Sequence, residues 1–245
     1  MVVALIMGRK GSKGFPGKNL YEIEGKPLAY YPMKAAIDCR DVDKIYISTD
    51  DKRLKDMAEK LGIYIIERPQ ELCTDDALGE HVYEHAYNYV KEKNRGEDIE
   101  AIALLMCNAP MVTPATISKG IKVLKENPEY DSVVTVSRYN MWAPLRARKI
   151  GEDGLLHPFV PIETFGDSEN MSCDRDSQGD VWFADMGISI IKPRCLESLE
   201  KGLLPQKWMG QKIYPLCQWG GVDVDYEWQI PQVKFWLNNK GNNYE

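Results

Sequence analysis

This 245-residue chain has no long apolar run, no closely paired cysteines and no excess of basic charge. No apolar run approaches the roughly 20 residues that a membrane helix needs, and Met1 leads into an apolar segment without the charged start of a signal peptide. The six cysteines lie more than twenty residues apart, which favours reduced thiols over disulfides or a thiolate metal site. The net charge of -6 argues against a general nucleic-acid binder. We therefore expect a cytoplasmic protein that binds neither membranes nor nucleic acids.

A cationic, glycine-rich loop stands out against this acidic background. It occupies residues 8–19 and follows directly on the apolar run 2–7. Its glycines permit close approach of the backbone to a ligand, and its crowded positive charges favour a polyanion such as a nucleoside triphosphate. The loop also leaves the first predicted strand, where open α/β sheets place their ligands. Its glycines and cations are Gly8, Gly11, Gly14, Gly17, Arg9, Lys10, Lys13 and Lys18.

Neither of two common phosphate-binding motifs matches this loop. A Walker A motif needs four residues between its first glycine and Gly-Lys-Ser/Thr, but Gly14 lies six residues after Gly8 and is followed by Phe15. The glycine spacing of three does not reproduce the dinucleotide-binding fingerprint either. A solvated basic turn without a ligand is the alternative interpretation.

Strand-like and helix-like segments alternate over the first half of the chain, which predicts βαβ units around a parallel sheet. Strands are predicted at residues 2–7, 44–48, 63–66, 99–106, 131–137 and 181–191. Helices are predicted at residues 27–37, 52–61, 79–93 and 114–125, with Thr113 as an N-cap, and from Asp225 as a cap to about 237. The alternation fails at 138–180, where we expect a β-hairpin or an oligomerisation arm. The predicted core is therefore 1–137 with 181–240, and 138–180 is an insertion.

Asp223 and Asp225 form a second candidate site near the end of the sequence. Two residues apart in an extended segment, their carboxylates share one face and can hold one hard divalent cation. Mg²⁺ is usually held by one or two carboxylates together with substrate phosphates, so the loop and this pair are two halves of a metal–nucleotide site. The alternative is an ordinary helix N-cap at Asp225 beside a solvated neighbour.

The loop resembles the opening motif of the acylneuraminate (CMP-sialic acid, or nonulosonate) cytidylyltransferases. In that motif a strand runs into Arg, Ser-Lys-Gly, Pro and Lys-Asn-Leu, and this chain has Arg9, Ser12–Gly14, Pro16 and Lys18–Leu20 in that order. Further matches are Ser48-Thr49-Asp50, Arg68-Pro69, Glu71-Leu72, Asp75 and Val222-Asp223-Val224-Asp225-Tyr226-Glu227. The resemblance implies a three-layer, Rossmann-like, GT-A-related nucleotidyltransferase core with a mainly parallel sheet and a β-rich dimerisation arm.

The same resemblance implies a CTP-dependent enzyme of surface glycan biosynthesis, which converts a nonulosonic (sialic-acid-like) acid to its CMP conjugate and releases pyrophosphate. The catalytic residues that hold the triphosphate would be Arg9, Lys13 and Lys18. The nucleotide would contact Gly8, Arg9, Ser12, Lys18, Asn19, Arg68 and Asp75. Mg²⁺ would lie on Asp223 and Asp225, and a small acidic acceptor on Asn108, Arg146 and Arg175. A homodimer is also implied, with residues 138–180 reaching the partner subunit.

Two departures from the family pattern concern the acceptor. Where the family has Leu-Gln-Pro-Thr-Ser-Pro-Leu-Arg after the fourth strand, residues 105–112 are Leu-Met-Cys-Asn-Ala-Pro-Met-Val. Residues 185–188, Asp-Met-Gly-Ile, replace Asn-Gly-Ala in a later strand. The lost polar groups favour another nonulosonate, a different small acid or a phosphonate as the acceptor.

Three other functions stay open at this point. They are a nucleotidyltransferase that uses another nucleotide or acts on a phosphonate or sugar phosphate, a GT-A-like glycosyltransferase, and a non-catalytic nucleotide-binding module. A glycosyltransferase Asp-x-Asp pair usually follows a mid-chain strand, whereas this pair lies near residue 224. The match of His81, Glu84 and His85 to the inverted zinc-protease pattern is short enough to arise by chance, and the segment is typical of a packed helix.

Overall fold

The computed structural model describes residues 1–165, 169, 172, 174 and 179–239. The strands in these residues are β1 (Val2–Met7), β2 (Glu22–Ile23), β3 (Lys26–Pro27), β4 (Lys44–Thr49), β5 (Tyr64–Glu67), β6 (Ala101–Met106), β7 (Ser132–Arg138), β8 (Arg148–Ile150), β9 (Leu156–Pro158), β10 (Trp182–Ile191) and β11 (Ile213–Gln218). The α-helices are α1 (Tyr30–Asp38), α2 (Lys52–Lys60), α3 (Gly79–Lys93), α4 (Pro114–Glu126), α5 (Arg194–Glu197) and α6 (Ile230–Asn239).

Seven of these strands form one sheet in the order β11-β7-β10-β6-β1-β4-β5. β1 pairs in parallel with β4 and β6, β5 pairs in parallel with β4, and β11 pairs in parallel with β7. β10 is the exception, because it runs antiparallel to both β6 and β7. The mixed α/β fold with a mostly parallel sheet confirms the predicted fold class.

Helices cover both faces of the sheet, which explains why every residue of β1 is buried. On one face, Met33 of α1, Leu54 of α2 and Ile117 of α4 share a cluster with one set of strand side chains. On the other face, Val82 and Tyr83 of α3 pack with the alternate set. The ends of the strands are therefore the open parts of this three-layer core. None of the helices in the described part of the chain is long and apolar enough to span a membrane.

Two predicted helix starts were wrong. Helix α1 begins at Tyr30 rather than at Pro27, because Glu24 and Gly25 both have positive φ and form a tight turn that pairs β2 with β3. Asp225 does not cap the last helix. Tyr226 is the N-cap of a short 3₁₀ turn, Glu227–Gln229, that leads into α6. By contrast, Thr113 caps α4 as predicted, since its hydroxyl accepts from the Thr116 N–H at 3.1 Å.

The insertion contains the expected β-hairpin, formed by β8 and β9. All six hairpin residues are exposed. The strand β11 was missed by sequence reasoning, because most of its residues are exposed and Pro215 interrupts its pattern at the edge of the sheet. The proposed bounds of the core and of the insertion at 138–180 stay a prediction.

Candidate active site

One cavity of about 450 Å³ brings together residues from opposite ends of the chain. It opens at the carboxyl ends of β1 and β6, where an open α/β sheet commonly binds ligands. Its walls come from the loop after β1, the segment from Arg68 to Tyr83, the segment after β6, and residues 223–226. The predicted residues among its lining are Gly8, Arg9, Ser12, Lys13, Lys18, Asn19, Arg68, Asp75, Asn108, Asp223 and Asp225.

An ion pair and a close backbone contact join the glycine-rich loop to the aspartate segment. Lys18 Nζ donates to Asp225 Oδ1, although the two residues are 207 positions apart. A Cβ atom added to Gly14 would lie 2.6 Å from the carbonyl oxygen of Asp225. Glycine is therefore required at position 14 for the two segments to approach this closely. The loop is therefore not an isolated turn, because it packs against the aspartate segment.

Three of the loop's four cations, Arg9, Lys13 and Lys18, pair with nearby carboxylates. Arg9 and Lys13 both pair with Asp75, at 2.6 Å and 2.9 Å. Hydrogen bonds from Lys13 and Arg9 lower the pKa of Asp75 below its ordinary value. The backbone N–H of Lys10 donates to Asp50 at 2.8 Å. These pairs keep the positive charges at the cavity wall, where a phosphate group could exchange places with Asp75.

Buried polar groups fix the shape of the loop. The side-chain amide of Asn19, which is 9% exposed, donates to the Arg9 carbonyl at 3.1 Å. Gly8, at the start of the loop, packs against Cys107, since an added Cβ would lie 2.5 Å from Cys107 Sγ. Burial raises the pKa of the Cys107 thiol to about 12, so this cysteine is a packing group rather than a nucleophile.

Arg68 is a half-buried cation at the cavity wall. Its guanidinium donates to the Ser48 carbonyl at 2.6 Å and to the Ser48 hydroxyl at 3.2 Å. Burial lowers its pKa from the ordinary value, although a guanidinium so basic stays protonated at neutral pH. Arg68 therefore presents hydrogen-bond donors to the cavity from a position fixed by the end of β4.

Both aspartates of the Asp-x-Asp pair face the cavity, as the spacing predicted. Between them Val224 is completely buried in the core. Burial, and then the negative charge of Asp225, raise the pKa of Asp223 above its ordinary value. A carboxylate that is destabilised by burial and by a neighbouring negative charge is, together with that neighbour, a suitable donor set for a divalent cation, and Mg²⁺ prefers such oxygen ligands. Residues 223 and 225 therefore fit the predicted metal.

Asn108 holds the aspartate segment in place. Its side-chain amide donates to the Val224 carbonyl at 3.1 Å, and its own carbonyl accepts from the Val224 N–H at 2.7 Å. The residue is 5% exposed, so these bonds are protected from water. Asn108 was predicted to bind the acceptor, and the structure gives its side chain a positioning contact at the cavity wall.

A buried polar network beneath the aspartate segment was missed by sequence reasoning. Asp185 accepts hydrogen bonds from Thr135 and Ser137 at 2.6 Å each and from Gln218 at 2.8 Å. The Ser137 hydroxyl in turn accepts from the Gly221 N–H at 2.9 Å. The network thereby anchors the chain two residues before Asp223. The sequence signals were two hydroxyl residues, Thr135 and Ser137, spaced two apart in β7, and an aspartate at position 185 in β10.

One predicted acceptor residue, Arg146, does not line this cavity. Arg146 is exposed on the short turn Pro144–Arg146 and is not among the residues that line the cavity. Arg175 lies outside the described residues. Met106, Tyr83 and Tyr226 line the cavity but were not predicted as site residues.

The histidine motif on α3 does not form a metal cluster. His81 is exposed and lies 3.7 Å from Glu84, whereas the Nδ1 atom of His85 is enclosed without a partner in the described part of the protein. Searched over the same residues, the structure contains no group of three or more histidine, cysteine or acidic side chains that could hold a metal.

A family model described as cytidylyltransferase matches residues 3–149, which is more than half of the chain. The chain therefore belongs to the cytidylyltransferase family. The N-acylneuraminate cytidylyltransferase of Escherichia coli is 32% identical over 139 residues, which cover 57% of this chain and 32% of that protein. The N-acylneuraminate cytidylyltransferase of Oncorhynchus mykiss is 24% identical over 234 residues, covering 95% and 50%. The chain thus spans only a third to a half of the length of these relatives.

Solved structures support the fold over nearly the whole chain. A CMP:2-keto-3-deoxy-manno-octonic acid synthetase, solved with CTP, superposes with a TM-score of 0.66 at 16% identity and covers 98% of this chain and 99% of its own. A 4-diphosphocytidyl-2C-methyl-D-erythritol synthase from Anaerococcus prevotii gives a TM-score of 0.57 at 13% identity, covering 97% and 96%. At these identities the likeness establishes the architecture alone.

Proposed function

We propose that this protein transfers the CMP group of CTP to a nonulosonic, sialic-acid-like sugar acid and releases pyrophosphate. The observation that supports this most is the meeting of the cationic loop and the Asp223/Asp225 pair in one cavity. A nucleoside triphosphate that carries a divalent cation needs both kinds of group within reach of one another. Membership of the cytidylyltransferase family supports CTP as the nucleotide.

In the proposed reaction an oxygen of the acceptor attacks the α-phosphorus of CTP. A bond forms from that oxygen to phosphorus, and the bond from the α-phosphorus to the oxygen that bridges it to the β-phosphorus breaks, so pyrophosphate leaves with the electron pair of that bond. Where the attacking oxygen belongs to a hydroxyl, its proton passes to solvent water. Negative charge builds up on the leaving group. Arg9 and Lys13 exchange Asp75 for the phosphates, and Lys18 neutralises charge from beside Asp225.

Asp223 and Asp225 would hold Mg²⁺ together with phosphate oxygens. The bound ion would supply Lewis-acid stabilisation of the charge on the phosphates. Asn108 keeps the two carboxylates directed at the cavity through its contacts with Val224. Most of the rate enhancement then comes from positioning and electrostatics.

The segment 138–180 is proposed to form a homodimer contact. It exposes large apolar side chains that a monomer would leave in water, since Trp142 is 63% exposed, Ile150 75% and Leu156 70%. Several large apolar side chains exposed on one segment are typical of a protein–protein interface. Arg146 lies on the same segment, so dimer formation could bring it to a partner's cavity.

A phosphonate or another small acid is the second candidate acceptor. Met106 supports it, because this apolar side chain lines the cavity where the related motif has a glutamine. The remaining chemistry of CTP would be the same in both cases.

Mass detection of CMP conjugates tests the proposal. The protein is incubated with CTP, Mg²⁺ and a panel of nonulosonic acids and phosphonates, and pyrophosphate release is followed in parallel. A CMP conjugate of a nonulosonic acid is the expected product. Asp223→Asn and Asp225→Asn should each lower turnover by orders of magnitude, whereas Asp56→Asn on the exposed face of α2 should match the wild type.

Other outcomes separate the alternatives. If only the phosphonates are converted to CMP conjugates, the acceptor is a phosphonate rather than a nonulosonic acid. Transfer of a sugar from a nucleotide sugar without pyrophosphate release would indicate a glycosyltransferase. Tight CTP binding without turnover of any acceptor would indicate a binding module, and unchanged turnover in both aspartate variants would contradict the metal assignment.

A further inference from the structure

Tyr83 is a buried polar residue at the cavity that the proposed chemistry does not use. It lies on the second turn of α3, is 4% exposed and lines the cavity. Within the described part of the chain its hydroxyl has no hydrogen-bond partner. The fully enclosed side-chain atoms without a partner in the described residues are His85 Nδ1 and Trp208 Nε1, and the Tyr83 hydroxyl is not among them. The hydroxyl of this buried side chain therefore reaches the cavity, where a ligand can complete its bonding.

The neighbours of Tyr83 hold its ring in one place. The ring packs on Trp208, with 5.1 Å between the centroids, and belongs to the apolar cluster beneath β1 and β6. The charged groups that act on its hydroxyl are Arg68 and Asp223, which line the same cavity. Burial raises the pKa of Tyr83 above its ordinary value, so the hydroxyl stays protonated and can donate.

The wall around Tyr83 differs from the rest of the cavity. The loop side is cationic and the 223–226 side is acidic, whereas this wall is mostly apolar, with Arg68 as its half-buried cation. The apolar wall is formed by Leu72, Ala77, Gly79, Val82 and Tyr83. A flat heteroaromatic ring with a few acceptor atoms on its edge fits an apolar wall that carries two fixed donors.

We infer that Tyr83 is a base-binding residue, whose hydroxyl donates a hydrogen bond to an acceptor atom on the edge of the pyrimidine beside the Arg68 guanidinium. The inference rests on the proposed function, because it requires that the cavity holds CTP with its phosphates on the loop. Cytosine offers a carbonyl oxygen and a ring nitrogen as acceptors on one edge, which two neighbouring donors can occupy together. Tyr83 then contributes to the choice of nucleotide rather than to the acceptor or the phosphates.

Calorimetric binding with three ligands tests this assignment. CTP, CMP and inorganic tripolyphosphate are titrated into the protein with Mg²⁺ and without any acceptor, so no transfer occurs. Tyr83→Phe should weaken CTP and CMP by the same factor, about tenfold, because one buried hydrogen bond to the base is lost. Tripolyphosphate should bind the variant and the wild type equally, because it has no base.

Tyr87→Phe is the matched control on the same helix. Tyr87 is equally buried, but its hydroxyl donates to Glu197 at 2.7 Å and it does not line the cavity. This variant should keep the wild-type affinity for CTP while its melting temperature falls. Tyr83→Phe should melt at the wild-type temperature, because no hydrogen bond within the protein is removed.

Three results would overturn the assignment. Wild-type affinity of Tyr83→Phe for both CTP and CMP would show that the hydroxyl does not contact the base. An equal loss of tripolyphosphate binding would place the defect in the phosphate loop. A wild-type protein that binds tripolyphosphate but neither CTP nor CMP would contradict the proposed function itself, and the base contact with it.

Discussion

The contact between Gly14 and the aspartate segment gives a sharp test of the geometry. In Gly14→Ala the new methyl group would lie 2.6 Å from the Asp225 carbonyl oxygen and 3.1 Å from the Tyr226 ring. Since an ordinary contact begins at 3.4 Å, the loop and the aspartate segment must separate by about 0.8 Å. That movement displaces the cations on one side of the substrate from the carboxylates on the other.

The expected cost is large for catalysis and small for stability. A misplacement approaching 1 Å commonly lowers rates by roughly a hundredfold, which corresponds to about 2.7 kcal/mol of lost transition-state stabilisation. Gly14 itself is exposed, so unfolding by urea should change little. The assay is kcat/KM from pyrophosphate release, with the urea midpoint measured on the same sample.

Gly11→Ala is the matched control in the same loop. Its added methyl group would meet only Arg9, at 3.5 Å, which is an ordinary contact with a flexible side chain. Its kcat/KM should therefore fall much less than that of Gly14→Ala. Equal values for Gly14→Ala and the wild type, with both proteins folded, would show that the two segments need not lie this close during catalysis.

Three further predictions concern the supports of the site. Asn108→Ala should lower the free energy of unfolding by about 1–3 kcal/mol, because it leaves the buried Val224 carbonyl without its side-chain donor; an unchanged urea midpoint would contradict this. In the metal-free protein, carboxyl NMR should show Asp223 titrating above an ordinary aspartate, and Asp225→Asn should lower that pKa by removing the like charge. Because the folded-state pKa is raised, the contribution of Asp223 to stability is present at low pH and is lost as pH rises through that pKa. Trp142→Glu should convert a dimer to a monomer in light scattering, and an unaltered mass would argue against an interface at the insertion.

The parts of the fold that were predictable from sequence depend on local patterns. A continuous apolar run predicted β1 correctly, and Thr113 followed by Pro114 marked the start of α4. The cationic loop could be placed at the end of β1 because it directly follows that apolar run in the sequence. The spacing of Asp223 and Asp225 predicted that both would face one site, and both line the cavity.

The parts that were missed depend on which strands become neighbours. Asp185 meets Thr135, Ser137 and Gln218 only because β10 lies next to β7 and β7 next to β11. No local pattern in any one of these strands encodes that order. The role of Asn108 likewise depends on a contact with Val224, 116 residues away along the chain.

A crystal structure with CTP and Mn²⁺ in place of Mg²⁺ tests the shared site most directly, because manganese can be located by its anomalous scattering. We predict one anomalous peak between the carboxylates of Asp223 and Asp225, with the phosphates of the same CTP molecule on Arg9, Lys13 and Lys18. A nucleotide that contacts the loop while the metal lies elsewhere, or a metal at the aspartates without nucleotide phosphates, would contradict a single metal–triphosphate site.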